Sequence, residues 1–187
     1  MNTLALSRQR GTSMMEVLVT LVVTAFGLLG LAGLQYRVQM SDVESYQRSQ
    51  ALVLLDDMAS RIQVNRGAAA TYVTDEPLGF GMECPTDTGT RQQVDALQWC
   101  QALQGAAEVQ GAIKTGAMLG ARGCVESLSN NEYMITIAWQ GLTPVSAPPA
   151  SVSCGVDLYD GAGESEACTA DRCRRAVTTI VRMATLN

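Results

Sequence analysis

The chain has 187 residues, no histidine and a formal net charge of -5. Without histidine it has no Ser-His or Cys-His catalytic pair and no imidazole metal ligand, and its acidic balance provides no bulk basic surface for nucleic acid. The six cysteines, Cys84, Cys100, Cys124, Cys154, Cys168 and Cys173, all lie in the polar part of the chain, an even count that suits an oxidising compartment.

Residues 1–11 are short and basic, with Arg8, Arg10 and no acid. Val17–Leu34 then runs for eighteen residues without a charge, close to the ~30 Å of a bilayer core at ~1.5 Å per residue. The arginines before the span predict a cytoplasmic start and an outward-facing remainder. A secretory signal peptide is one reading. The apolar run, however, exceeds the usual ~7–15 residues, and the best small-x-small site, Gly30-Leu31-Ala32, lies deep inside it. A plain membrane anchor is a second reading, but it leaves Glu16 unexplained. A carboxylate in such a segment costs up to ~2.5–3.5 kcal/mol at mid-membrane.

The segment Gly11-Thr12-Ser13-Met14-Met15-Glu16-Val17-Leu18-Val19 resembles the type IV prepilin signature. The resemblance implies that a membrane prepilin peptidase cuts after Gly11. The same enzyme then methylates the new amino terminus, Thr12. Glu16, fifth in the mature chain, becomes the assembly residue, and the apolar span is retained. The family usually begins its mature chain with phenylalanine, where this chain has Thr12. A charge buried without a partner is unfavourable, so the amino group of Thr12 on a neighbouring subunit, or on the same one, is the expected partner of Glu16.

Beyond Leu34 the pattern turns amphipathic without a break. Tyr36, Met40 and Val43, then Ala51, Leu55, Met58 and Ile62, recur at helical spacing. No proline occurs before Pro77, and Gly67 is a suitable stop. One helix over about 12–66 would be ~80 Å long. Its first half needs lipid or other helices, and its second half needs a domain over one face. That two-part helix is the core of the pilin fold. Gly27, Gly30 and Gly33 are expected to be a local weak point.

Residues 67–121 read as a connecting region with small helices, one of them around 92–104. Strands are predicted at Gly123–Leu128, at Glu132–Trp139 after a Ser129-Asn130-Asn131 turn, and at Ala176–Met183. In the second strand Tyr133, Ile135, Ile137 and Trp139 share one face. In the last, Val177, Thr179, Val181 and Met183 do. Residues 140–172 read as a long irregular loop. Arg174 and Arg175 read as a solvated strand start, and Asp157, Asp160 and Glu164 as a solvated acidic loop rather than a calcium site. The Cys168–Cys173 spacing suits neither a redox motif nor zinc. The expected disulfides are Cys84–Cys100 across the local helix, Cys124–Cys154 from first strand to loop, and Cys168–Cys173. If the strands are ordered first, second, last, the rival Cys124–Cys173 bridge would have to cross the middle strand, ~9–10 Å, beyond the ~7 Å a disulfide spans; if the last strand lies beside the first, that objection disappears.

Asp57-Met58-Ala59-Ser60-Arg61-Ile62, Ala138-Trp139-Gln140-Gly141-Leu142, Cys154-Gly155 and Arg174-Arg175-Ala176-Val177 together resemble the PilV group of minor pilins. The implied fold is α+β, a long N-terminal helix, transmembrane then amphipathic, packed on a small antiparallel sheet. The implied organisation is a leader at 1–11, a transmembrane half-helix at 12–35 and an amphipathic half-helix at 36–66. A connecting region at 67–121 and a disulfide-bearing sheet at 122–187 follow. The implied role is a minor pilin that helps to start or tip a type IV pilus. It is expected in the inner membrane before assembly and in the pilus afterwards, with no enzymatic activity, cofactor or metal. Its expected partners are other minor pilins, the major pilin, a tip adhesin and prepilin peptidase, with no nucleic acid. The alternatives are a pseudopilin of type II secretion and a DNA-uptake competence pilin.

Overall fold

The computed structural model describes residues 13–106, 109–110, 113–114, 118–129, 131–161 and 168–184. They fall into two units that meet between Asp42 and Val43. Helix α1, Met14–Val64, belongs to both.

In the first unit α1 carries no charge from Val17 to Tyr36, and every residue from Met14 to Gln39 is exposed. The helix is continuous through Gly27, Gly30 and Gly33, so the weak point expected there is not a break. In the second unit the apolar stripe is covered only from Gln47 onward. Ala51, Leu55, Met58, Ala59 and Ile62 enter the core, whereas Tyr36 and Val43, expected to open the stripe, are exposed. The helix ends at Val64 rather than running to Gly67. A 3₁₀ segment, Arg66–Tyr72, takes the chain onward through a kink at Ala68.

The connecting region holds more than helix. Strand β1 is only Leu78–Gly79. Helix α2, Arg91–Leu103, starts on a capping box in which Thr90 and Gln93 each bond the other's backbone amide. Strands β2 (Val109–Gln110) and β3 (Ile113–Lys114) then form a small ladder of their own. Two-residue strands carry no periodicity, so no alternation pattern announced them.

The main sheet contains β1, β4 (Arg122–Ser127), β5 (Glu132–Gln140) and β6 (Arg174–Arg182), in the order β1-β4-β5-β6, antiparallel throughout. Asn131 turns β4 into β5 with a left-handed backbone, φ 57°. The odd-numbered face of β5, Tyr133, Ile135, Ile137 and Trp139, packs into one core with the buried stripe of α1 and with Trp99, Cys100 and Leu103 of α2. Trp99 is fully buried, and its indole N–H donates to the Leu54 carbonyl of α1 at 2.9 Å. Its six-membered ring lies against Gly123, where an added Cβ would fall 2.8 Å from two ring carbons and nearer still to Cη2. Gly123→Val is therefore expected to cost at least about 1–3 kcal/mol by overpacking. Urea unfolding of the full chain checks it, and a loss below about 0.5 kcal/mol would mean that the indole moves aside freely.

The long loop is not merely a connection. Cys154 and Tyr159 from it pack with Cys124 and Ala138 into a second small core on the opposite face of the sheet. Three disulfides join Cys84 to Cys100, Cys124 to Cys154 and Cys168 to Cys173, with Cα separations of 5.7, 5.8 and 5.1 Å. Cys173 leads into β6 while Cys124 sits in β4, so β5 lies between them.

Candidate functional site

The first candidate is the start of α1. Ser13 precedes the helix. Its carbonyl accepts from the Glu16 amide at 2.9 Å and from that of Val17 at 3.3 Å, and its hydroxyl accepts from the Met15 amide at 3.4 Å. Glu16 is the acid of the first turn, where the helix dipole favours negative charge. The next charged side chain is Arg37. Thr20 and Thr24 do not interrupt the apolar surface. Their hydroxyls donate to the carbonyls of Val17 (2.8 Å) and Thr20 (2.7 Å) within the same helix, which is how polar side chains are accommodated in hydrocarbon. The span reaches a mean hydropathy of 2.4 with none of it buried by the chain itself. Among the described residues no cation pairs with Glu16. Cβ atoms added at Gly27, Gly30 and Gly33 would meet nothing within 4 Å. Gly11 and Thr12, the expected cleavage and methylation positions, lie outside the described residues.

The second feature is how α1 is fastened inside the second unit. Near its start in that unit, the Glu44 carboxylate accepts from the Leu142 amide and from the Arg175 guanidinium, both at 3.2 Å. Arg175 also donates to the Thr143 carbonyl at 2.6 Å. It reaches there across Gly141, where a Cβ would fall 2.7 Å from its guanidinium nitrogen. Farther along α1, Arg61 bonds Asp57 at 2.9 Å, Asp95 of α2 at 2.7 Å and Gln98 at 2.8 Å. Asp95, 1% exposed, also accepts from the Tyr72 hydroxyl at 2.7 Å and pairs with Arg91 at 3.2 Å. Burial alone would raise the carboxyl pKa of Asp95. The Tyr72 and Arg61 hydrogen bonds, with the charges of Arg61 and Arg91, outweigh that and hold it below its ordinary value.

Arg174 was expected in solvent and is buried, 2% exposed. It bonds Asp171 at 3.0 Å and the carbonyls of Val152 (2.8 Å) and Cys154 (3.1 Å). Arg175 is half-buried against Glu44. Adjacent strand residues point to opposite faces, so the pair clamps the loop on one side and α1 on the other. Asp160, though exposed, accepts from the amides of Ala170 (3.1 Å) and Asp171 (2.9 Å) and so fastens the loop. Among the described residues no cluster of three or more metal-ligating side chains occurs. Glu164 lies outside the described residues.

These contacts explain the short motifs. In Ala138-Trp139-Gln140-Gly141-Leu142, Trp139 fills the main core, Ala138 the second core, Gly141 admits Arg175 and Leu142 meets Glu44. Gly155 is left-handed, φ 72°, and a Cβ there would press on the Tyr159 ring at 2.8 Å. Asp95, Tyr72 and Glu44 were not singled out by sequence. The i,i+4 spacing of Asp57 and Arg61 was the signal available for that network.

An apolar N-terminal helix continuing into a half that packs on a four-stranded antiparallel sheet is the α+β arrangement of the type IV pilin fold. The profile of the Tt1218-like family, described as type IV pilin Tt1218, matches residues 33–78. The matched segment covers about a quarter of the chain, from the end of the apolar span through Asp57–Ile62 to β1. It supports a type IV pilin, a structural rather than enzymatic class of subunit that associates with other pilus components. Membrane anchoring followed by entry into a pilus fits both the match and the apolar helix. No curated protein and no solved structure matches the chain.

Proposed function

We propose that this chain is a minor pilin of the PilV type, cut between Gly11 and Thr12, methylated on Thr12, and held by α1 in the inner membrane with its carboxyl terminus in the periplasm. From there it joins other minor pilins in a complex that starts or tips a type IV pilus, next to the major pilin and a tip adhesin. The observation that carries the reading is an apolar half-helix with no cover of its own, headed by the single carboxylate Glu16 and continuing into a folded, disulfide-bonded unit. Such a helix must be covered by lipid or by other helices, and a filament core supplies the second after the membrane has supplied the first. The Glu16 carboxylate then pairs with the Thr12 amino group and sets the axial register. The order of motifs from Asp57 to Val177 supports the minor-pilin assignment over a pseudopilin.

Sequencing the mature amino terminus tests the processing step. The expected start is Thr12. A start near Gly33 or Gln35 would mean ordinary signal peptidase and would remove the helix on which the proposal rests.

A further inference from the structure

Among the described residues the arginines withdrawn from solvent are Arg61, Arg122, Arg174 and Arg175. Arg61 holds Asp57 and Asp95, Arg174 holds Asp171, and Arg175 holds Glu44. Arg122, the first residue of β4, is half-buried and forms no ion pair among the described residues. Aromatic rings hold it instead. Its guanidinium carbon stands over the Phe80 ring, 5.3 Å from the centroid, and over the Tyr159 ring at 4.9 Å. Such contacts orient a guanidinium without neutralising it. Nη1 reaches the Gly120 carbonyl at 3.4 Å, and that carbonyl already accepts from the Tyr159 hydroxyl at 2.9 Å. Nη2 has no acceptor among the described residues, and Gly81, with φ 88°, leaves room in front of it. A Cβ there would stand 3.5 Å from Nη2 and, chain neighbours aside, within 4 Å of nothing else. Phe80, one of the two rings, is 59% exposed, so apolar surface borders the charge.

We propose that Arg122 is the anchor of a binding site for a carboxylate carried on an apolar body, the form in which an acidic residue among apolar ones presents it on another polypeptide. A charge drawn out of water without a counter-ion is unfavourable. A carboxylate supplies that counter-ion and accepts N–H groups from the edge of the guanidinium that the rings leave free. One guanidinium on a chain of net charge -5 suits a singly charged carboxylate better than a phosphate dianion, which the remaining charge repels. A sugar acid would bring hydroxyls that need partners of their own, and the Gly120 carbonyl beside the arginine is already shared by Tyr159 and Nη1. The open face of Phe80 gives the apolar body a surface to lie on.

The test uses the full chain in detergent micelles and follows the side-chain N–H signals of Arg122 by NMR. The probe is N-acetylphenylalanine, an aromatic carboxylate. It is expected to shift those signals saturably and to bind at least about ten-fold more tightly than its neutral amide. The signals of Arg66, exposed and without an ion pair among the described residues, should stay in place. Arg122→Lys keeps the charge and loses the fork, so binding should fall at least about ten-fold. Phe80→Ala, at an exposed position, should weaken binding with the fold intact, and it serves if the lysine variant misfolds. Equal binding of acid and amide, or no loss in either variant, overturns the proposal. Tighter binding of inorganic phosphate rejects the carboxylate, and equal binding of glucuronate rejects the apolar body. A shift that appears without probe as protein concentration rises supports the site and identifies a second copy of this chain as the source of the carboxylate.

Discussion

Asp95→Ala is expected to destabilise the folded unit by about 3–5 kcal/mol, the cost of breaking a buried ion pair from one side. The Asp95 carboxylate is the common acceptor for Arg61 on α1, Tyr72 on the 3₁₀ segment and Arg91 on α2. Removing it leaves the Tyr72 hydroxyl, on a residue 2% exposed, without its acceptor and leaves Arg61 with only Asp57 and Gln98. Asp95→Asn retains an acceptor of similar shape and should lose less. Urea unfolding of the full chain in detergent reads both. A loss under about 1 kcal/mol for the alanine variant would show that these elements are held by apolar packing alone. The pH dependence has a definite sign. The folded pKa of Asp95 is lowered, so the unfolded chain takes up the proton first as pH falls. The contribution is complete above the ordinary carboxylate range and is lost as pH drops through that range towards the lower folded value. Asp95→Asn should flatten that part of the acid limb.

Glu16→Ala is expected to leave membrane insertion and processing intact but to reduce the amount of this chain in sheared filaments at least about ten-fold, given what an unpaired desolvated charge costs. Insertion should not suffer, because the change removes the sole charged side chain between Ser13 and Arg37 and makes the segment more apolar. Incorporation should suffer, because the proposed partner, the Thr12 amino group, would then be desolvated alone. Quantitative immunoblots of membranes and of sheared filaments from the same cells separate the two steps. Equal incorporation of variant and parent would rule out the register role of Glu16. A variant lost from membranes as well would point to an anchoring role instead.

The features legible in sequence were those whose signal is local. An uncharged run of bilayer length needs no partner to be recognised. The stripe Ala51, Leu55, Met58 and Ile62 announces a buried helix face, and the alternation from Tyr133 to Trp139 announces which side of β5 faces the core. Hairpin geometry put β4 beside β5 and so brought Cys154 within reach of Cys124, whereas the place of β6 beside β5, which keeps Cys173 from Cys124, was only one of two orders open in sequence and is decided by the tertiary structure. The feature that escaped most completely was the role of charge in the outer domain. Arg174 and Arg175 look like an ordinary polar strand start, and an exposed arginine pair is written with the same letters as a buried one. Only the tertiary structure decides that one of them enters a loop held by Asp171 and two carbonyls while the other crosses Gly141 to Glu44, 131 residues earlier in the chain. The same holds for Asp95, whose partners lie 34 residues before it on α1 and 23 residues before it at Tyr72. Hydrophobic periodicity reports which face of an element avoids water and is a property of the element alone. The pairing of a charge is a property of two elements, and it exists only once the chain has brought them together.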